Sequence, residues 1–264
     1  MEKLRRIKNM NKILNRVPEV TIYFWIIKVL ATTVGETAAD FLSATLNLGL
    51  GITSYIMSSV LLIALLNQFK LKRYVPASFW FVVVLISIVG TLITDRLVDE
   101  LGVSLITTTV IFSCSLLAVF AFWYSNEKTL AMHSINTAKR ELFYWVAVLF
   151  TFALGTATGD LLAESLRLGY TQSALVFGAL IAIIAISYYY LWMNAVLAFW
   201  LAYILTRPLG ASIGDLLSQS PTNGGFGFGT VGTSILFLSI IVSLVIYLSL
   251  KQKKLALQPI DRQD

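Results

Sequence analysis

Apolar residues run along this chain in eight long blocks separated by short polar segments. The blocks cover roughly residues 20–40, 50–67, 76–95, 102–124, 142–160, 171–190, 193–215 and 229–250. Each has about the 20 residues a helix needs to cross about 30 Å of hydrocarbon, so each predicts a membrane-spanning α-helix. The stretch from Thr171 to Thr206 is too long for one span. The segment from Tyr188 to Asn194 predicts the turn that divides it, because Tyr and Trp settle at membrane interfaces. Without that division there are seven spans.

A second pattern runs through the first. Trp25, Trp80, Trp145 and Trp200 are spaced by 55, 65 and 55 residues, and so are Asp40, Asp95, Asp160 and Asp215. Each Asp follows its Trp by 15 residues, and a Gly precedes each Asp by five: Gly35, Gly90, Gly155 and Gly210. A longer period relates the segment from Phe24 to that from Tyr144, at an offset of 120. The chain therefore reads as four tandem two-helix units in two halves. Each unit begins on the same side of the membrane, so the repeats are parallel, related by an axis along the membrane normal. A pseudo-fourfold or two-by-two bundle follows, with the Trp/Gly/Asp helices at its centre.

Composition supports the membrane reading. Only 13% of residues are charged, about half of the roughly 25% usual for a soluble domain, which excludes a soluble globule. The formal charge of +6 would suit nucleic acid, but the basic residues lie elsewhere than a binding face would need. Sixteen of the twenty precede the first span, follow the last, or lie in the loops after spans two and four. The positive-inside rule then puts both termini in the cytoplasm, which eight spans allow and seven do not. The charge is a topology signal, with no nucleic-acid partner implied; contact with anionic lipid is its remaining use. A cleaved signal peptide over residues 1–35 is rejected because the first span recurs as a repeat. The reading is one all-α transmembrane domain over 1–264. It comprises a basic N-terminus (1–17), repeats at about 18–70, 71–127, 138–190 and 191–250, and a basic tail (251–264).

The stretches VPEVTIYFWIIKVLATTVGETAADFL, ELFYWVAVLFTFALGTATGDLL and FWLAYILTRPLGASIGDLL resemble the bacterial membrane proteins built from four tandem two-helix repeats with a characteristic Trp. Those proteins are described as uncharacterised and membrane-anchored. The resemblance covers nearly the whole chain. It implies this architecture and a multi-pass place in the bacterial inner membrane, and it brings no activity with it.

Charges inside the spans are few and carry the candidate chemistry. Fifteen helical residues rise about 22 Å, so with each Trp at the cytoplasmic interface each Asp lies deep, toward the outer side. An intramembrane carboxylate costs about 2.5–3.5 kcal/mol on insertion scales; four at one depth predict a cation site. The Gly five residues earlier lets helices approach. A competing reading makes each Asp the N-cap of a new helical piece after a break near the Gly. Four residues past the Asp stand Ala44, Asp99, Glu164 and Gln219. Asp160 with Glu164 would suit a hard cation, whereas Asp99 with Glu100 reads as a pair of solvated loop acids. Glu36, found only in repeat one, shares a face with Asp40. Arg207, found only in repeat four beside Pro208, needs a buried partner, for which Glu36 or one of the Asp residues is available. Their pair would be a static clamp or a gate. Lys28, three residues past Trp25, is expected to snorkel to the cytoplasmic face.

Thr32, Thr33, Thr37, Thr94, Thr156, Thr158 and Ser212 either ligate an ion or, as is commoner, bond back to helix carbonyls. The five-glycine stretch Asn223 to Gly232 reads as an outer loop rather than a carbonyl filter. His133 is the only His and Cys114 the only Cys, so a structural Zn or Cu site is not expected. No nucleophile–base pair, phosphate loop or dinucleotide fingerprint is present, and no enzyme activity or cofactor is expected. Carboxylate, hydroxyl and carbonyl oxygens suit hard ions. The leading expectation is transport of a small, Mn²⁺-like divalent cation as substrate. The ligands are Asp40, Asp95, Asp160, Asp215, Glu36 and Glu164, with Arg207, Lys28, the four glycines and the four tryptophans in gating or packing roles. The alternatives are a scaffold or sensor whose Asp residues only cap helices, and a transporter of small organic cations. Oligomeric state is not legible.

Overall fold

The computed structural model describes residues 15–256. Lys3, Arg5, Arg6, Lys8, Lys12 and Arg262, part of the topology argument, lie outside the described residues. Among the described residues eight helices are long and apolar enough to cross a membrane. In chain order they are α1 (Ile22–Asp40), α2 (Leu50–Lys70), α3 (Pro76–Asp95), α4 (Leu105–Glu127), α5 (Ala138–Asp160), α6 (Gly169–Tyr190), α7 (Ala195–Ser218) and α8 (Gly229–Ala256). No strand occurs among the described residues.

The division between α6 and α7 falls inside the aromatic segment where it is expected. Asn194 caps α7, its side chain accepting from Val196 N at 2.9 Å and Leu197 N at 3.2 Å. Such a cap satisfies amides that the helix cannot.

The odd-numbered helices form the centre. Between 56% and 72% of their apolar stretches is buried, against 11–22% for the even-numbered ones. They close a ring in which α1 packs on α3, α3 on α5, α5 on α7 and α7 on α1. Each even helix packs on the central helix of the following repeat: α2 on α3, α4 on α5, α6 on α7, and α8 back on α1. A hydrogen bond of 2.7 Å between Thr37 and Ser234 hydroxyls joins this last pair. The large apolar side chains exposed along the even helices are the surface hydrocarbon would cover.

Two sets of contacts hold the ring in cyclic register. At one end the aromatic residue before each Trp reaches the next repeat's Trp. Phe24 meets Trp80 at 5.6 Å, Phe79 meets Trp145 at 5.1 Å, Tyr144 meets Trp200 at 6.3 Å, and Phe199 meets Trp25 at 5.7 Å between centroids. Trp80, Trp145 and Trp200 are therefore buried within a plug of rings rather than in an interfacial belt. Mid-helix, each repeated Gly receives the side chain three residues before the next repeat's Gly. Ser87 lies against Gly35, Phe152 against Gly90, Arg207 against Gly155 and Thr32 against Gly210. A Cβ at any of the four would overlap that neighbour, which is the close approach small residues permit between membrane helices.

Candidate functional site

Position along the ring follows a step of four residues. Residues 24, 28, 32, 36 and 40 of α1 match 79–95 of α3, 144–160 of α5 and 199–215 of α7 at the same step, and nearly all are buried. A four-residue step overshoots the 3.6-residue turn by about 40°, so the helices run inclined to their common axis. The layers toward the axis, from the aromatic end, read Phe24/Phe79/Tyr144/Phe199; Lys28/Val83/Val148/Tyr203; Thr32/Ser87/Phe152/Arg207; Glu36/Thr91/Thr156/Ala211; and Asp40/Asp95/Asp160/Asp215. The aromatic layer and the Asp layer lie at opposite ends, so the four central helices all point the same way.

The Asp layer lines a pocket of about 150 Å³, room for several waters. Glu36 forms its floor side, and Asp99, Glu164, Tyr170 and Gln219 join its walls. All six expected ligands thus reach one pocket. Carboxylate oxygens of Glu36, Asp160 and Asp215 lie within 4.8 Å of one another. No hydrogen bond or ion pair occupies the four Asp carboxylates among the described contacts, and Asp215 is only 9% exposed. Unpaired carboxylates crowded like this repel each other and present oxygens suited to a hard cation.

Several expectations change here. Asp40, Asp95 and Asp160 cap no new helix. Their backbones are α-helical, their side chains accept no cap bond, and the chain runs on through one wide turn. Those turns close with i to i−5 bonds, from Leu46 N to Phe41 O, Leu101 N to Arg96 O and Leu166 N to Leu161 O, at 2.9, 3.1 and 2.9 Å. Such π-turns gather at functional sites, and here they carry Asp99 and Glu164 back over the pocket. Asp99 therefore belongs to the site. Glu100 alone behaves as a loop acid, paired with Arg96 at 3.0 Å and accepting from Gly51 N at 3.0 Å. Tyr170 carried no sequence signal, because no residue type recurs there; the π-turn and the start of α6 place it.

Beneath the Asp layer lies a charged clamp. Arg207 donates to Glu36 at 2.7 Å, to Thr156 Oγ1 at 2.8 Å, to Thr32 O at 2.9 Å and to Thr91 Oγ1. One guanidinium from α7 thus holds α1, α3 and α5 together, with no solvent exposure. Glu36 is the partner expected for it. Thr32 bonds to Val29 O, Thr94 to Gly90 O and Ala153 O, and Thr158 to Leu154 O, whereas the buried Ser212 hydroxyl has no hydrogen-bond partner.

Lys28 does not snorkel. It is fully buried, and its ammonium stands 3.9 Å over the Phe152 ring and 4.2 Å over that of Tyr203. The four-residue step from Phe24 to Asp40 was the signal that places it inward. The glycine-rich segment is a loop, as expected, turning through positive φ at Gly224, Gly227 and Gly229 and leading into α8.

Four tandem matches, at residues 23–74, 78–129, 143–191 and 198–254, fit the family described as Repeat of Unknown Function (DUF347). The chain belongs to this family. The starts of these repeats follow the same spacings of 55, 65 and 55 as the tryptophans, so each repeat supplies one central helix, one outer helix and one Asp of the pocket. No curated protein and no solved structure matches the chain.

Proposed function

We propose that this protein carries a small hard divalent cation, Mn²⁺-like, across a bacterial inner membrane. The observation that carries the reading is the convergence of Glu36, Asp160 and Asp215 oxygens within 4.8 Å, at the bottom of a pocket ringed by Asp40, Asp95, Asp99 and Glu164. Oxygen is the only ligand type on offer, which favours hard ions over soft ones. The placement of Lys70, Lys72, Arg73, Lys139, Arg140 and Lys251 at the aromatic end supports a cytoplasmic face there. The pocket then opens outward, and the Arg207–Glu36 clamp and the aromatic plug close the way in. Such a state suits the outward-facing half of an alternating-access cycle.

The test is Mn²⁺ flux into proteoliposomes holding the purified protein. Asp160→Asn and Asp40→Asn variants are expected to lose flux while melting close to the wild type. Wild-type flux from both would overturn the reading. A wild type with no flux, whose Asn variants lose only thermal stability, would favour a scaffold.

A further inference from the structure

Among the described residues two buried charges take no part in the cation pocket: Glu141 pairs with Arg16 at 2.7 Å, and Lys28 has no ion-pair partner. It is unique to repeat one, with Val83, Val148 and Tyr203 at its level in the ring. Its Nζ is fully buried and has no hydrogen-bond partner. The faces of Phe152 and Tyr203 recover part of an ammonium's lost hydration, but a buried charge without a carboxylate still destabilises the fold. Val and Tyr fill the same level in the other three repeats, so packing alone does not require a lysine. The groups facing it are the Phe152 and Tyr203 rings and, one layer outward, the Arg207 guanidinium.

The formal charges along the axis explain what such a residue does. Above the clamp stand six carboxyls: Asp40, Asp95, Asp99, Asp160, Glu164 and Asp215. Glu36 is matched by Arg207, and below them stands Lys28, unmatched. The formal sign of the axis therefore reverses over about three helical turns, from negative to positive. Arg207 spends its charge on Glu36, so Lys28 supplies the net positive charge of the floor. A cation moving inward from the pocket meets repulsion three layers further in, in low dielectric where it is least screened.

Resting on the cation-pocket reading, we propose that Lys28 is an electrostatic floor: its ammonium, held over the Phe152 and Tyr203 rings, keeps the closed axis impermeable to cations, so the protein binds ions without leaking them and works as a carrier rather than a channel. The positive charge does for cation entry what an arginine does at the constriction of a cation-excluding pore.

The experiment uses proteoliposomes holding a K⁺ diffusion potential, with the full-length protein, Lys28→Met and Lys28→Arg. Methionine keeps the stem and removes the charge; arginine keeps the charge. The wild type and Lys28→Arg are expected to hold the potential. Lys28→Met is expected to dissipate it at least tenfold faster and to pass Mn²⁺ without saturation, while melting at or above the wild-type temperature. A Lys28→Met protein that holds the potential as long as the wild type would overturn the proposal. So would one that melts below it, since that marks a structural lysine. Saturable wild-type Mn²⁺ flux with an unaltered Lys28→Met variant fails this proposal alone, whereas absent wild-type flux fails the transport reading itself.

Discussion

The two ends of the central ring are built alike in all four repeats, and its middle is not. At one end every repeat gives an aromatic–Trp pair, and at the other every repeat gives an Asp. The three layers between them hold Lys28, Glu36 and Arg207 once each, against Val, Thr, Ser, Ala, Phe or Tyr at the equivalent positions. The ends repeat because each contact there passes from one repeat to the next around a closed ring, so a residue that works once works four times. A fourfold clamp would fail: four guanidiniums on one axis would repel one another and outnumber their partners. One Arg with one Glu and three Thr engages both terminal guanidinium nitrogens in the space available, with Nε left unpartnered. Symmetric contacts build the ring, and single-copy residues fill its middle.

The contrast is sharpest where the middle is broken. Arg207→Met should cost about 3–5 kcal/mol, since it strands the Glu36 carboxylate in the interior. The double variant Glu36→Leu/Arg207→Met should regain most of that stability, because an apolar pair of similar volume is often neutral in place of a buried ion pair. Chemical denaturation in detergent reads both. A single variant that costs no more than the double would show that the pair is not coupled.

Gly90→Ala probes a symmetric contact of the ring. The added Cβ would lie 2.7 Å from Phe152 Cβ and 3.2 Å from the Ala153 amide, an overpacking that costs about 1–3 kcal/mol. Gly178→Ala, on α6 with nothing within 4 Å, should be neutral or gain up to about 1 kcal/mol from helix propensity. Equal melting shifts for the two would contradict the close-approach role of the repeated glycines. Phe79→Leu, which removes one of four equivalent ring contacts, should cost less than Gly90→Ala, about 0.5–1.5 kcal/mol for the lost aromatic pairing. A larger loss than Arg207→Met would invert the comparison and make the plug the dominant element.

Much of this was legible in the residues. Helix number, the break near residue 191 and the parallel repeats follow from block length and from the 55, 65 and 55 spacing, which survive any detail of packing. The Glu36–Arg207 pair was legible as a need, because a lone arginine in a span must find a carboxylate. Three features were not legible. The π-turns after Asp40, Asp95 and Asp160 differ from an ordinary helix end by one residue of hydrogen-bond register, which composition does not encode, so capping and Asp99 were misjudged together. Lys28 lies near Trp25 in sequence, but Trp25 belongs to the aromatic plug, so nearness to it did not mean nearness to water. The packing of each outer helix on the next repeat is a tertiary choice to which periodicity is blind.

The return of α8 to α1 has a consequence for how the chain can be written. Tyr74 N bonds to Asn15 O at 2.9 Å, and Gln252 Nε2 bonds to Tyr74 O at 3.0 Å, so the two ends of the described chain meet at one residue. A ring whose seam is joined like its other three junctions has no privileged starting point. Circular permutation, with the ends linked and a new opening in the loop between Lys128 and Thr137, would keep every contact of the ring while placing repeats three and four first. The order of the repeats along the polypeptide is then a matter of descent, and the identity of the molecule resides in the cycle.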